Sequence, residues 1–156
     1  AMTMAAIKKL NVAGIRCIIL TKGLLPIKLA EHSIDNEYGI TLISLDEEFR
    51  NRTEPGAASY SARISALKAL HHKGCKTWVS IEPYPTPNLI QQNLTDILNA
   101  ASFTNRIVFG RTNYSKAISA FTNHRAFYNE QVEIVVQFCK EHKISCHIKK
   151  GTITSS

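Results

Sequence analysis

The sequence predicts an α/β fold: one parallel sheet, its strands alternating with helices, curved into a partial (β/α) barrel. Three observations carry that prediction. Short apolar runs alternate with segments of helical period, the order expected of βα units. The runs are nearly continuous in apolar residues, as strands are when both faces of a sheet are covered. Neither GxGxxG nor GxxxxGK[ST] occurs in the chain, which removes the phosphate loops of doubly wound nucleotide-binding sheets and leaves the barrel arc.

Each element has a local reason. Residues 5–12 read as the end of a helix stopped at Gly14. IRCIIL, 15–20, is the first strand, and Pro26 suits the opening turn of a short helix over about 26–33. GITLISL, 39–45, is the second strand, ending at Asp46, Glu47 and Glu48. Tyr60, Ile64, Leu67 and Leu70 recur at helical spacing, and Gly74 closes that helix. TWVSIE, 77–82, is the third strand, and Thr86 with Pro87 suggests the start of a helix burying Ile90, Leu94 and Ile97. NRIVFG, 105–110, is the fourth strand, followed by a loop and a short helix through 115–122. A long amphipathic helix over 126–142 leads into the last strand, ISCHIK, 144–149.

A chain of 156 residues fits one domain, 1–156, with the opening AMTM read as a start region or cloning remnant. No apolar run is long enough to span a bilayer and no cleavable signal opens the chain, so a cytoplasmic location is expected. The net charge of +7 comes from 19 Lys and Arg against 12 Asp and Glu. Those cations are scattered without interleaved aromatics, so nucleic acid as a partner has only bulk charge in its favour. The cysteines, Cys17, Cys75, Cys139 and Cys146, form no CxxC. Cys139, His142, Cys146 and His147 offer a zinc-like donor set. However, Cys139 continues the stripe of Tyr128, Val132 and Val135, and Cys146 alternates with Ile144 and Ile148, so both read as core and no metal is expected.

In a parallel barrel, chemistry gathers where strands end. Here those positions are Thr21 and Lys22, Ser44 and Asp46, Glu82, Arg111 and Asn113, and Lys149. Alternation puts Val79 and Ile81 on one face, under helices, and Trp78, Ser80 and Glu82 on the other. It likewise separates Ile144, Cys146 and Ile148 from Ser145, His147 and Lys149. Glu82 and Lys149 are thus expected to face the lumen. A polar group delivered by every strand to one rim predicts a small-molecule site of mixed charge.

At the same positions the sequence resembles the radical S-adenosylmethionine (SAM) superfamily, near its spore-photoproduct-lyase-like members. ILTKGLL resembles the third core strand with its TKG-type end. ITLISLDEEFRNRTEPGAASYSARISALKALHHKG resembles the fourth strand, the EPGA segment and the helix after it, and TWVSIEPYPTPN the fifth strand with its proline-rich loop. The likeness is close over 15–90 and looser beyond. It implies the third to last strands of a radical SAM core, with Lys22, or Thr21 beside it, Ser44 and Arg63 contacting SAM, and Glu82 accepting from its ribose or from substrate. Glu54 is either a further site residue or a structural tie for Arg52 or Arg63. Arg111, Asn113 and Lys149 would face substrate.

The family's CxxxCxxC loop, which holds a [4Fe–4S] cluster, is absent from the sequence. The resemblance therefore implies a C-terminal fragment, inactive by itself, of an enzyme that cleaves SAM to a 5′-deoxyadenosyl radical. SAM is the implied cofactor, with the cluster confined to the parent protein, and the missing N-terminal part of the barrel is the implied partner. Two other readings stand beside this one: a cluster-free binding or interaction module, and a nucleic-acid-acting enzyme of the photoproduct-lyase type. The apolar edge of IRCIIL should be covered by self-association or by the N-terminal helix.

Overall fold

The computed structural model describes residues 2–112 and 121–154. Its five strands are β1 (Ile18–Thr21), β2 (Glu37–Thr41), β3 (Lys76–Tyr84), β4 (Arg106–Arg111) and β5 (Ser145–Ile148). All pair in parallel, in the order β1-β2-β3-β4-β5. The helices are α1 (Met2–Val12), α2 (Glu47–Thr53), α3 (Tyr60–His72), α4 (Leu94–Ala101) and α5 (His124–His142), with a 3₁₀ turn at Ile27–Glu31. The expected α/β architecture, with strands and helices alternating in one sheet, is the one observed.

Helices cover one face of the sheet, α3 packing on β2 and β3, and α5 on β4 and β5. The core between them holds Tyr38, Ile40, Val79, Ile81, Ile107 and Phe109 from the strands, with Leu67, Leu70, Ile97, Leu98 and Val135 from the helices. This is the face that alternation assigned to Val79 and Ile81. The opposite, concave face carries Ile18 and Leu20 of β1, Trp78, Ser80 and Glu82 of β3, and Val108 of β4.

Several boundaries differ from expectation for identifiable reasons. Asp46-Glu47-Glu48 is a helix start rather than a strand end. Asp46 Oδ1 accepts from Phe49 N at 2.7 Å, two acids fill the first turn, and Phe49 anchors α2 in the core. The helix expected from Thr86 and Pro87 begins instead at Leu94, where the Asn93 side chain accepts from Thr95 N at 2.9 Å. Thr86 is drawn into a tight turn: its hydroxyl donates to Asn88 Oδ1, and its carbonyl accepts from Leu89 N. The segment after Pro26 makes one 3₁₀ turn, with Pro26 extended just ahead of it. Cys146, expected in the core with Cys139, is exposed: β5 is the edge strand among the described residues, and Cys146 lines the concave cavity. The helix expected over 115–122 lies largely outside the described residues.

A buried amide pair ties α1 to the start of the sheet. Asn36 Oδ1 accepts from Cys17 N at 2.8 Å and from Asn11 Nδ2 at 3.0 Å, while its own Nδ2 donates to Asn11 Oδ1 at 2.8 Å. Replacing Asn36 with Ala strands the Cys17 N–H and should cost about 2 kcal/mol in urea unfolding. A loss below about 0.5 kcal/mol would show that water serves those groups as well. Although α1 anchors Ile7 in the core, Ile18 and Leu20 of β1 stay half exposed, at 54% and 48%. The N-terminal helix therefore leaves the concave side of β1 open.

Candidate functional site

The ends of β3, β4 and β5 form one side of the concave face. Glu82 lies near the end of β3, at a cis Glu82–Pro83 peptide, and its side chain lies across β4 at Gly110. A Cβ at Gly110 would come within 2.9 Å of the Glu82 carboxyl carbon, so only glycine leaves this path open. Beyond it, Lys149 Nζ stands 3.4 Å from Glu82 Oε2. Both side chains remain partly exposed, which keeps this pair available to a ligand and adds little to stability. Below them, Ser80, Val108 and His147 continue the wall of a cavity of about 430 Å³.

The floor of that cavity is set by Trp78. Its indole lies flat over Gly39 of β2, where a Cβ would sit only 2.4 Å from the ring. The Arg106 guanidinium caps the ring at 5.2 Å and is itself paired with Glu37. Arg106 and Gly39 were not singled out from the sequence. The available signal was a glycine inside an apolar strand, which marks close approach by another group.

At the end of β1 a second constellation is built almost wholly from buried groups. Arg63 is 0% exposed. It donates from Nε to Ala58 O at 2.8 Å, from Nη1 to Thr41 O at 2.9 Å and from Nη2 to Glu54 Oε2 at 2.7 Å. Its guanidinium also lies over the Tyr60 ring, whose hydroxyl is pushed well above its ordinary pKa, chiefly by burial and then by the Glu54 charge. Glu54 turns its other oxygen to Lys22, with Nζ at 3.0 Å. Lys22 is half exposed and its carbonyl accepts from Ala58 N, so the EPGAA segment is clamped against the β1 end.

This corrects the direct ligand contact expected of Arg63. A guanidinium with no exposed surface, committed to two carbonyls and a carboxylate, cannot reach a ligand. Its partner Glu54 is the structural tie, and Lys22 is the member of the chain that meets solvent. Beside it, the Thr21 hydroxyl accepts from Gly23 N at 2.9 Å.

The remaining expected site residues scatter. Ser44 is fully buried, its hydroxyl accepting from Asp46 N at 3.0 Å, and it borders a separate cleft of about 190 Å³ with Ile90, Gln92 and Asp96. Arg111 ends β4, its backbone N donating to Thr152 Oγ1 at 3.4 Å. Asn113 lies outside the described residues. Tyr128 joins the strand ends from below, its hydroxyl donating to Tyr84 O at 2.7 Å. The structure thus brings Glu82 and Lys149 together, holds Thr21 and Lys22 at the end of β1, and sets Ser44 and Arg63 behind them.

The donor set fits the polar groups of SAM: amines at Lys22 and Lys149 suit a carboxylate, and Glu82 suits hydroxyl donors. It does not fit an iron–sulfur cluster. Among the described residues no group of three His, Cys, Asp or Glu side chains is placed to hold a metal, and the cluster needs several thiolates together. No helix among the described residues is long and apolar enough to cross a membrane.

No protein-family model matches this sequence, and no curated protein does. Solved structures do. The chain is similar to spore photoproduct lyase complexed with dinucleoside spore photoproduct, at a TM-score of 0.62 and 14% identity, over 94% of this chain and 54% of that one. It is also similar to Streptococcus suis SuiB bound to S-adenosylmethionine, at a TM-score of 0.61 and 14% identity, over 89% of this chain and 32% of that one. SuiB bound to the precursor peptide SuiA matches at 0.59 and 15% identity, over 94% and 34%. The chain spans about half the length of the first structure and a third of the second. At such identities the likeness is one of fold: this chain has the fold of part of a radical SAM barrel, as the sequence resemblance led one to expect.

Proposed function

We propose that this chain forms the SAM- and substrate-facing wall of a radical SAM enzyme and works with a barrel segment that carries the iron–sulfur cluster. The observation that carries this reading is the Glu82–Lys149 pair, laid across Gly110 at the C-terminal ends of parallel strands, where a barrel keeps its chemistry. Lys22, held in place by Glu54 and Arg63, offers its ammonium to the carboxylate of SAM, with the Thr21 hydroxyl next to it. Glu82 accepts from ribose, Ser44 supports the β2 end from behind, and Lys149, Arg111 and Asn113 meet substrate. Reductive cleavage of SAM, which this reading implies, belongs to the complete enzyme. These residues bind and orient.

Calorimetric titration with SAM tests the reading, first on the chain alone and then on the chain joined to a barrel half bearing CxxxCxxC. Lys22→Ala and Glu82→Ala should each weaken binding by about tenfold or more, the loss of one charge-assisted contact. Ser145→Ala, on the same face of the sheet but at the far end of β5, should leave it unchanged. Binding unaffected by either of the first two substitutions would overturn the assignment. SAM ignored even with the cluster-bearing half present would leave a cluster-free binding module as the function.

A further inference from the structure

Glu82, Lys149 and Arg106 are the Arg, Lys, Asp and Glu side chains on the wall of the concave cavity. Glu82 and Lys149 balance one another at the strand ends. At the opposite end, charge is left over. Glu37 is the acid that faces Arg106, and Arg16 Nη1 stands 3.7 Å from its other oxygen. Two guanidiniums thus share one carboxylate, and the floor keeps a net positive charge. Arg106 is also short of acceptors. Glu37 takes only Nη2, and Nε is buried with no acceptor among the described residues. Trp78, whose ring Arg106 covers, is nine-tenths buried, and its Nε1–H is likewise unpartnered. A buried donor left unpaired is uncommon in a folded protein, and a ligand's acceptor removes the deficit. The Arg106 side chain is 32% exposed, so an acceptor can reach it through the cavity. Above it the wall is apolar, with Ile18 and Leu20 half exposed and Val108 beside them.

We propose that this floor holds the anionic end of an elongated substrate, a carboxylate or phosphate carried on an apolar body, and that Arg106 binds it. The inference rests on the function proposed above, which puts the reacting end of the substrate beside Glu82. From Glu82 down to Trp78 is four positions along β3, about 13 Å at the rise of a strand. The substrate therefore spans the cavity from rim to floor. Its apolar body lies on Ile18, Leu20 and Val108, and its head group meets the free side of the guanidinium. A cationic or uncharged head would lose water against Arg106 without gaining a partner of opposite charge. The site thus selects the sign of its ligand as well as the length.

Octanoate and octyl phosphate are the probes, titrated onto the purified chain and followed by the emission of Trp78, the sole tryptophan. At least one should bind and move the emission to the blue as water leaves the floor. The tighter of the two names the head group. Octylammonium should bind about tenfold more weakly, or not at all. Arg106→Gln should weaken the preferred anion by about tenfold or more, and Arg106→Lys should recover part of that loss. If Arg106→Gln does not fold, Glu37→Gln provides the second reading. With its carboxylate competitor neutralised, Arg106 should hold the anion about fivefold more tightly. Octylammonium binding as well as either anion, or an affinity indifferent to these substitutions, would overturn the inference. SAM is titrated onto the same samples. SAM bound through Lys22 and Glu82 while both anions are ignored would overturn this inference alone. An anion held by Arg106 on a chain that ignores SAM, even with the cluster-bearing half present, would uphold the site and remove the enzyme reading behind it.

Discussion

Arg63→Leu should destabilise the chain by about 3–5 kcal/mol, because it leaves the Glu54 carboxylate buried without its main partner. The side chains concerned are 0% and 1% exposed, and Lys22 reaches only one of the two Glu54 oxygens. Two carbonyls, those of Ala58 and Thr41, lose their donor in the same step. Urea unfolding measures the loss. The double variant Arg63→Leu with Glu54→Leu distinguishes a buried ion pair from simple packing, since removing both charges should restore most of the stability. If the double variant is as unstable as the two single losses added, the network acts through its shape rather than its charges. Lys22→Ala should cost well under 1 kcal/mol, since its side chain is half in water. That contrast keeps its binding test interpretable.

Gly39→Ala should cost about 3 kcal/mol and move Trp78. The added Cβ would meet three indole atoms at 2.4, 2.6 and 2.7 Å, and a ring pinned between β2 and Arg106 cannot swing aside as a flexible chain end can. Trp78 is the sole tryptophan in the sequence, so its emission reports the displacement directly and should shift to the red as the ring gains water. Gly110→Ala is the matched control. Its Cβ would meet the Glu82 carboxyl at 2.9 Å, but that group can rotate away, so the cost should stay near 1 kcal/mol or below. Its effect should instead appear in SAM affinity, because Glu82 is pushed off the Lys149 pair. Unchanged Trp78 emission with full stability in Gly39→Ala would mean that the β2–β3 approach is looser than described.

The reach of sequence reasoning here follows from period and distance. Strand alternation is local, so Val79 and Ile81 went correctly under the helices and Trp78, Ser80 and Glu82 to the other face. Helical spacing placed Leu67 and Leu70 of α3 for the same reason. The start of α2 was missed: Asp46, Glu47 and Glu48 were read as a strand end, although an acid cap followed by two more acids is a helix-start signal. At Thr86 and Pro87 a cap-like pair misled, because the Thr86 hydroxyl found Asn88 two residues away instead of a helix N–H.

By itself, the sequence determined the order of strands and helices, their parallel arrangement, the face each residue of β3 takes, and the set of polar groups at the strand ends. These depend on neighbours within about one helical turn or two strand positions. Only the tertiary structure decided how those polar groups are used. Glu82 meets Lys149 because Gly110 leaves the strand between them bare. Arg63, a ligand contact on paper, is sealed beneath Lys22 because Thr41 of β2 and the Glu54–Ala58 segment converge on it. Hydrogen-bonding groups brought together across such separations depend on the packed chain, and no local pattern encodes which of them will be left facing the cavity.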